Sequence, residues 1–317
     1  MKHNKSFTSF LFAVLILLSF QSAAGLNDAT WYVSVDVDQI ENNEIYQFFE
    51  AKVKSSDSDD FVKIPDEISY ISLYGNAKGA EDATAVIHGD FSQFSISEHL
   101  LELLYTHESD AADMIEESTV SYKNNEIKSL KVDEGHSGDT KEVYFSKVNS
   151  GLTVISFQLD EVKNWLDNNY DNHEINQGSL FSVVVDVQSA LAHMGMNIDS
   201  NNHMMQSEIF QKVAQVSASA SEVNSDMVLD VALSTNDEAT AIQIEQIING
   251  LVAMNNLSGA NDKNELHATF MQNLSINRNG NDILMSTYAS IEDIKRYEIG
   301  HLTNDDKQVK VEVKVDL

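Results

Sequence analysis

The sequence has 317 residues and no cysteine, and its 20 Lys and Arg residues against 50 Asp and Glu residues give a formal net charge of −30. A surface this acidic repels phosphate backbones and anionic lipid headgroups, so we expect neither nucleic-acid binding nor membrane insertion of the mature chain. Without cysteine, the chain can form no disulfide and can carry no lipid-modified cysteine. The length is comfortable for two domains.

The beginning of the sequence has the features of an export signal. Lys2 and Lys5 supply positive charge, and the apolar run at 10–20 follows them. Small residues occupy the −3 and −1 positions of a cleavage site after Ala24. The apolar run is shorter than the roughly 20 residues that a transmembrane helix requires. We therefore predict that residues 1–24 are removed and that the mature protein is soluble and periplasmic or secreted.

Two stretches of the sequence share one strand pattern. They are "WYVSVDV" at 31–37 and "FSVVVDV" at 181–187, and both alternate apolar and polar residues with a period of two. Asp36 and Asp186 stand at matching places in the two stretches. The repetition predicts two parts of the chain that fold alike.

The order of the predicted elements repeats as well. In each half, a strand and a helix are followed by a hairpin, a capped helix, further strands and a short closing helix. The first helix is predicted to begin with a capping box formed by Asp38 and Glu41. The predicted hairpins span 67–91 and 214–234, and the closing helices span 159–166 and 291–298.

These observations predict an α+β fold made by tandem duplication. Each module is expected to be an antiparallel-rich sheet with helices packed on one face, similar to a ferredoxin-like arrangement. The predicted boundaries are 25–168 for module one, 169–177 for a polar linker and 178–300 for module two. Residues 301–317 include "QVKVEVKVDL", in which valine alternates with charge, and are predicted as an edge strand. This strand either completes the protein's own sheet, which we favour, or pairs with a partner.

Motifs of known catalytic chemistry are missing from the sequence. It contains no nucleophile elbow, phosphate-binding glycine loop or zinc helix with paired histidines. His136 stands beside Ser137 but lacks the orienting partner of a catalytic triad. The acidic run at 55–60 lacks the glycine and final glutamate of a calcium loop. We therefore predict a protein that is not an enzyme and needs no cofactor.

One segment carries a chemical alternative. Residues 192–205 contain four of the ten methionines and two of the ten histidines. Thioether and imidazole groups together suit Cu(I). The candidate ligands are His193, Met194, Met196, His203, Met204 and Met205. The favoured alternative is that these methionines fill an irregular gap in the hydrophobic core.

The repeated carboxylates also allow two hypotheses. Asp36 and Asp186 could face each other across a pseudo-twofold axis and form a shared site. Each could instead cap the turn that follows its strand, which is the commoner role of an aspartate there. We favour capping, because a duplication would preserve it in both modules.

Taken together, the sequence predicts a noncatalytic exported binding or accessory protein of two related modules. The alternative is a periplasmic protein that binds Cu(I) or Ag(I) through the His/Met segment. The binding partner is expected to be another protein or a small molecule.

Overall fold

The strands that the structure describes pair into one continuous sheet. A computed structural model describes residues 29–54, 64–75, 83–96, 99, 115–133, 140–168, 178–193, 210–257 and 265–297. The strands are β1 (Trp31–Asp36), β2 (Ile68–Gly75), β3 (Thr84–Gly89), β4 (Ile115–Tyr122), β5 (Asn125–Asp133), β6 (Thr140–Asn149), β7 (Leu152–Ser156), β8 (Phe181–Asp186), β9 (Val213–Val223), β10 (Asp226–Thr235), β11 (Ser275–Asn279) and β12 (Asp282–Ser290).

The described helices are short, with one exception. They are α1 (Val37–Asn42), α2 (Glu44–Lys54), α3 (Leu159–Leu166), α4 (Val187–His193), the 20-residue α5 (Glu238–Leu257), α6 (Glu265–Gln272) and α7 (291–297). A short 3₁₀-helix, Phe210–Lys212, leads into β9. No helix among the described ranges is long and apolar enough to cross a membrane.

Every pair of neighbouring strands in the sheet is antiparallel. The order is β11-β12-β10-β9-β8-β1-β2-β3-β7-β6-β5-β4. The predicted mixture of helices with a large antiparallel sheet is therefore confirmed. At the centre, β1 pairs with β8, and Val33 lies opposite Val183.

The two halves of the sheet run outward from this central pair in the same order of connection. The first half continues from β1 through β2, β3, β7 and β6, and the second from β8 through β9, β10, β12 and β11. The first half then adds β5 and β4, a hairpin that the sequence patterns did not predict. Its turn contains Lys123 with a positive φ of 55°, a conformation that non-glycine residues adopt mainly in tight turns.

The register of the strands assigns each residue to one of two faces. Directly opposite residues share a face, and neighbours along a strand alternate. We call the face that carries Val33 and Val35 the front face. The face that carries Ser34 and Asp36 is the back face.

Helices lie on both faces of the first half. On the back face, Val162 and Trp165 of α3 pack with Tyr74, Val86 and Val154. On the front face, Val37 and Ile40 of α1 pack with Val35, Ile71, Ile87 and Ile155. The expectation of helices on one face is therefore wrong for this half. The reason is that β2, β3 and β7 are apolar on both faces and need cover on each.

The second half has its hydrophobic core on the front face. Ala241 and Ile244 of α5 pack there with Val213 and Ile283, and partly buried residues surround them. The back face of β9 and β10 carries Ser217, Ser219, Ser221 and Asp230 instead. This alternation is typical of an antiparallel sheet with one solvated face.

The first helix begins two residues earlier than the sequence indicated. Asp36 is the N-cap of α1, and its Oδ1 accepts the Gln39 backbone N–H at 2.9 Å. The predicted capping box at Asp38 and Glu41 is wrong, because the strand ends at Asp36 and the helix starts directly at Val37.

Several predicted features lie outside the described residues. They are the export signal at 1–24, the acidic run at 55–60, His136 and Ser137, the linker at 169–177 and the C-terminal segment at 301–317.

Candidate functional site

An apolar surface occupies the front face of three strands in the second half. It is formed by Phe181 and Val183 of β8, Ala218 and Ala220 of β9, and Met227 and Leu229 of β10. The register places these residues together, because Phe181 lies opposite Ala220, which lies opposite Leu229. We call this surface the central trough.

The side chains of the central trough are incompletely covered. Phe181 is 39% exposed, and the other five are half-buried. None of the six belongs to any of the three core clusters formed by the described residues. Aliphatic and aromatic residues on the inner face of a sheet are usually buried in a core. The trough is thus an apolar surface that the described helices leave partly open.

The positions of the neighbouring helices explain the opening. The core clusters place α1 over β1, β2 and β3, and place α5 over β10, β12, β11 and the beginning of β9 at Val213 and Val216. A helix is about 10 Å wide and strands are about 4.8 Å apart, so each helix covers about two strands. Most of β8 and β9 lies between the two. Helix α4 covers one end of this interval, where Val187 joins the core and Ala190 is buried. The start of α2 lies at the other end, where Glu222 of β9 accepts the Glu44 N–H at 3.1 Å.

One flank of α5 adds to the same apolar surface. Ile247, Leu251 and Met254 follow the i, i+4, i+7 spacing of one helical stripe, and they are 42%, 60% and 68% exposed. On the other flank, Glu238 and Glu245 accept hydrogen bonds from Arg278 of β11 at 2.9 and 3.0 Å.

The ion pairs of Arg278 with Glu238 and Glu245 show which way the apolar flank of α5 faces. β11 is the edge strand, so the glutamate flank of α5 faces the edge of the sheet. Met254 is nine residues from Glu245, which is two and a half helical turns, and therefore points the opposite way. The apolar flank thus faces the middle of the sheet and forms a wall beside the central trough.

The back face of the same strands has a different chemistry. Ser72, Ser34, Ser182 and Ser219 stand in direct register across β2, β1, β8 and β9. The hydroxyls of Ser34 and Ser182 are 2.6 Å apart and buried. A serine becomes a nucleophile when a base accepts its proton, whereas the partner of Ser34 is a second serine. This pair therefore ties the two halves together.

Asp36 and Asp186 lie at opposite ends of the central strand pair. The Asp36 N–H donates to the Leu180 carbonyl at 3.0 Å, and the Asp186 N–H donates to the Thr30 carbonyl at 2.7 Å. Six residues along a strand separate these ends, a distance of about 20 Å. The structure does not bring the two carboxylates together into a shared site. Asp186 instead caps α4, accepting the Ser189 N–H at 2.9 Å, as Asp36 caps α1.

The His/Met segment lies almost entirely outside the described residues. His193 is the last residue of α4, and nothing is described of its side chain. Met194, Met196, His203, Met204 and Met205 belong to the undescribed range 194–209. Across the ranges that the structure describes, no group of three or more His, Asp or Glu residues is placed to hold a metal ion.

A buried carboxylate elsewhere anchors a helix. Glu161 of α3 is 3% exposed, and its Oε1 accepts the Tyr74 hydroxyl at 2.5 Å. The Trp165 indole N–H donates to the same tyrosine oxygen at 2.7 Å. Burial, together with the charge of Glu161, raises the pKa of Tyr74 well above its usual range. The hydroxyl therefore stays protonated and holds α3 on the back face.

The histidine of β3 packs against an aromatic ring of the neighbouring strand β2. His88 lies edge-on to the Tyr70 ring, with centroids 5.8 Å apart. Burial lowers the pKa of His88, so the ring is neutral at pH 7.

The sequence patterns did not predict the central trough, although two signals for it are present in the sequence. The second hairpin alternates serine with alanine or valine in β9, which marks an apolar face. Helix α5 carries apolar residues around most of its circumference, which is typical of a helix covered on more than one side.

No family model and no curated protein matches this chain. Three solved crystal forms of a protein called TP0453 are similar to it. Form I has 11% identity and a TM-score of 0.44, covering 87% of this chain and 96% of that one. Form III has 9% identity and a TM-score of 0.44, covering 87% and 98%. Form IV has 10% identity and a TM-score of 0.43, covering 87% and 96%. This level of similarity carries no argument about function.

Proposed function

We propose that this chain is a noncatalytic, exported binding protein and that the central trough is its binding surface. The observation that carries the proposal is the partly open apolar floor at Phe181 and Leu229 beside the exposed flank at Leu251. Contiguous apolar surface of this kind marks interaction sites on soluble proteins. Export rests on the signal pattern at residues 1–24.

The proposal includes an origin by duplication. The same order of five strands in each half supports two copies of one module, with the boundaries 25–168 and 178–300. The trough then has a simple origin. Of the helices that the structure describes, α1 covers β1 and β2 in the first half, whereas α4 covers one end of the corresponding strands β8 and β9 in the second.

The test is site-specific photo-crosslinking in the cell that produces the protein. A photoreactive amino acid replaces Leu229 on the front face, and a matched control carries it at Asp230, the next residue along β10 on the back face. We expect a discrete crosslinked species from position 229 and none from position 230. No crosslink from position 229, or equal crosslinking from both positions, would contradict the proposal.

A further inference from the structure

We infer that the partner of the central trough is a basic amphipathic α-helix. This inference rests on the proposed binding function and assigns the chemistry of the partner.

The width of the trough matches that of one helix. The part of the front face that lies between α1 and α5 is formed by β8 and β9. Two neighbouring strands are together about 10 Å wide. Helices packed side by side on a sheet have axes about 8–10 Å apart. The interval therefore takes one helix. Ala218 and Ala220 form its floor and allow a helix backbone to approach closely.

The strands of the floor are paired on both sides. β8 is paired with β1 and β9, and β9 is paired with β8 and β10. The floor of the trough thus offers no free strand edge. A partner that enters this apolar surface must satisfy its own backbone N–H and C=O groups, and a helix does so internally.

The length of the floor limits the partner to a short helix. β8 has six residues, about 20 Å of strand, and is shorter than β9. Helix α4 covers one end, and the start of α2 lies at the other, where the front-face Glu222 accepts the Glu44 N–H. Roughly three turns of helix, at about 5.4 Å a turn, fit along the floor.

The charge of the protein selects a basic partner. The chain has a net charge of −30, and α1 presents Asp38 as an exposed carboxylate. Arg278 of β11 pairs with two glutamates of α5, and Lys295 of α7 pairs with Glu44 of α2. The negative electrostatic potential of the protein therefore attracts a partner rich in Lys and Arg and repels an acidic partner. A second copy of the chain carries the same charge and is repelled as well.

The experiment uses the mature chain and three designed 18-residue peptides. The first has a leucine stripe at helical spacing and a lysine polar face, the second replaces each lysine with glutamate, and the third scrambles the first. Fluorescence anisotropy measures binding, and circular dichroism measures the helicity of the bound peptide. We expect the lysine peptide to bind as a helix. We expect the dissociation constants of the other two peptides to be higher by about tenfold or more.

Two variants of α5 locate the binding site. Leu251→Asp places a charge on the apolar flank, and Ala253→Asp places one at an exposed position on the outer side of the same helix. Both positions are exposed, so both variants are expected to fold. We expect Leu251→Asp to weaken binding of the lysine peptide about tenfold or more and Ala253→Asp to leave it unchanged within about twofold.

Each other outcome contradicts the inference. Equal binding to wild type and to Leu251→Asp places the peptide elsewhere, and equal binding of the scrambled peptide removes the requirement for a helix. Self-association that Leu251→Asp abolishes would make the occupant a second copy. If none of the peptides binds while the crosslink at Leu229 forms, the inference of a basic helical partner is wrong and the proposed binding function stands.

Discussion

A single hydroxyl connects a helix to the sheet in the first half. Tyr74 is 2% exposed, and its hydroxyl donates to Glu161 and accepts from the Trp165 indole N–H. Polar groups in so apolar a cluster need partners, because burying them without hydrogen bonds is costly. Tyr74 thereby makes the buried carboxylate compatible with the core.

Replacing Tyr74 with Phe should destabilise the fold. The change removes the oxygen that Trp165 and Glu161 share while it keeps the ring, so we expect a loss of about 1.5–3 kcal/mol in the free energy of unfolding. Urea denaturation measures the loss. The control is Tyr144→Phe, because Tyr144 lies in the same sheet but is only partly buried. We expect this substitution to cause a smaller loss. Equal effects of the two substitutions would show that the buried network is not responsible.

At the scale of secondary structure, the repeated aspartates act as helix caps. Asp36 accepts both the backbone N–H and the side-chain amide of Gln39, and Asp186 accepts the N–H and hydroxyl of Ser189. A strand that passes directly into a helix leaves free N–H groups at the junction. The same junction occurs after β1 and after β8, so the same residue serves at both.

A double-mutant cycle separates capping from a shared site. Asp36→Ala and Asp186→Ala should each cost about 1 kcal/mol of stability, and Asp36→Asn should retain most of it. Because the two residues are about 20 Å apart along the central strands, we expect the double variant to equal the sum within about 0.5 kcal/mol. A larger coupling energy in chemical denaturation would revive the shared-carboxylate hypothesis.

For the whole molecule, the central pairing of β1 with β8 makes the two halves one sheet. A second connection lies at the start of α2, where Glu222 of β9 accepts the Glu44 N–H at 3.1 Å and also binds the Asn43 side chain. Lys295 of α7 pairs with Glu44 at 3.2 Å. The halves are thus joined through the backbone at the centre of the sheet and through side chains at its end.

This continuity predicts a single unfolding transition. The two tryptophans, Trp31 and Trp165, both belong to the first half, so their fluorescence reports mainly on that half and on its seam with β8. Far-ultraviolet circular dichroism reports on both halves. We expect the two denaturation curves to coincide, and the variant Tyr288→Trp, at an exposed site of the second half, to give the same midpoint. Separate midpoints would show that the halves are independently folding domains.

The sequence by itself determined the local elements of this protein. Alternating residues identified β1, β8 and both hairpins, and the closing helix of the first half matches its predicted bounds at 159–166. These features depend on neighbours along the chain, where side-chain periodicity is visible. The hairpin of β4 and β5 was missed because β4 is largely polar and exposed. In β5 the buried residues are Ile127, Ser129 and Leu130, which do not form a regular alternation of apolar and polar residues.

Only the tertiary structure decided which faces are covered and which residues meet. The pairing of Val33 with Val183 joins strands far apart in the sequence, and it sends Asp36 and Asp186 to opposite ends. The central trough likewise exists because α1 and α5 cover strands on either side of β8 and β9. Periodicity shows that Phe181 and Leu229 belong to an apolar face. It does not show whether a helix covers that face, because cover is supplied by elements distant in the chain.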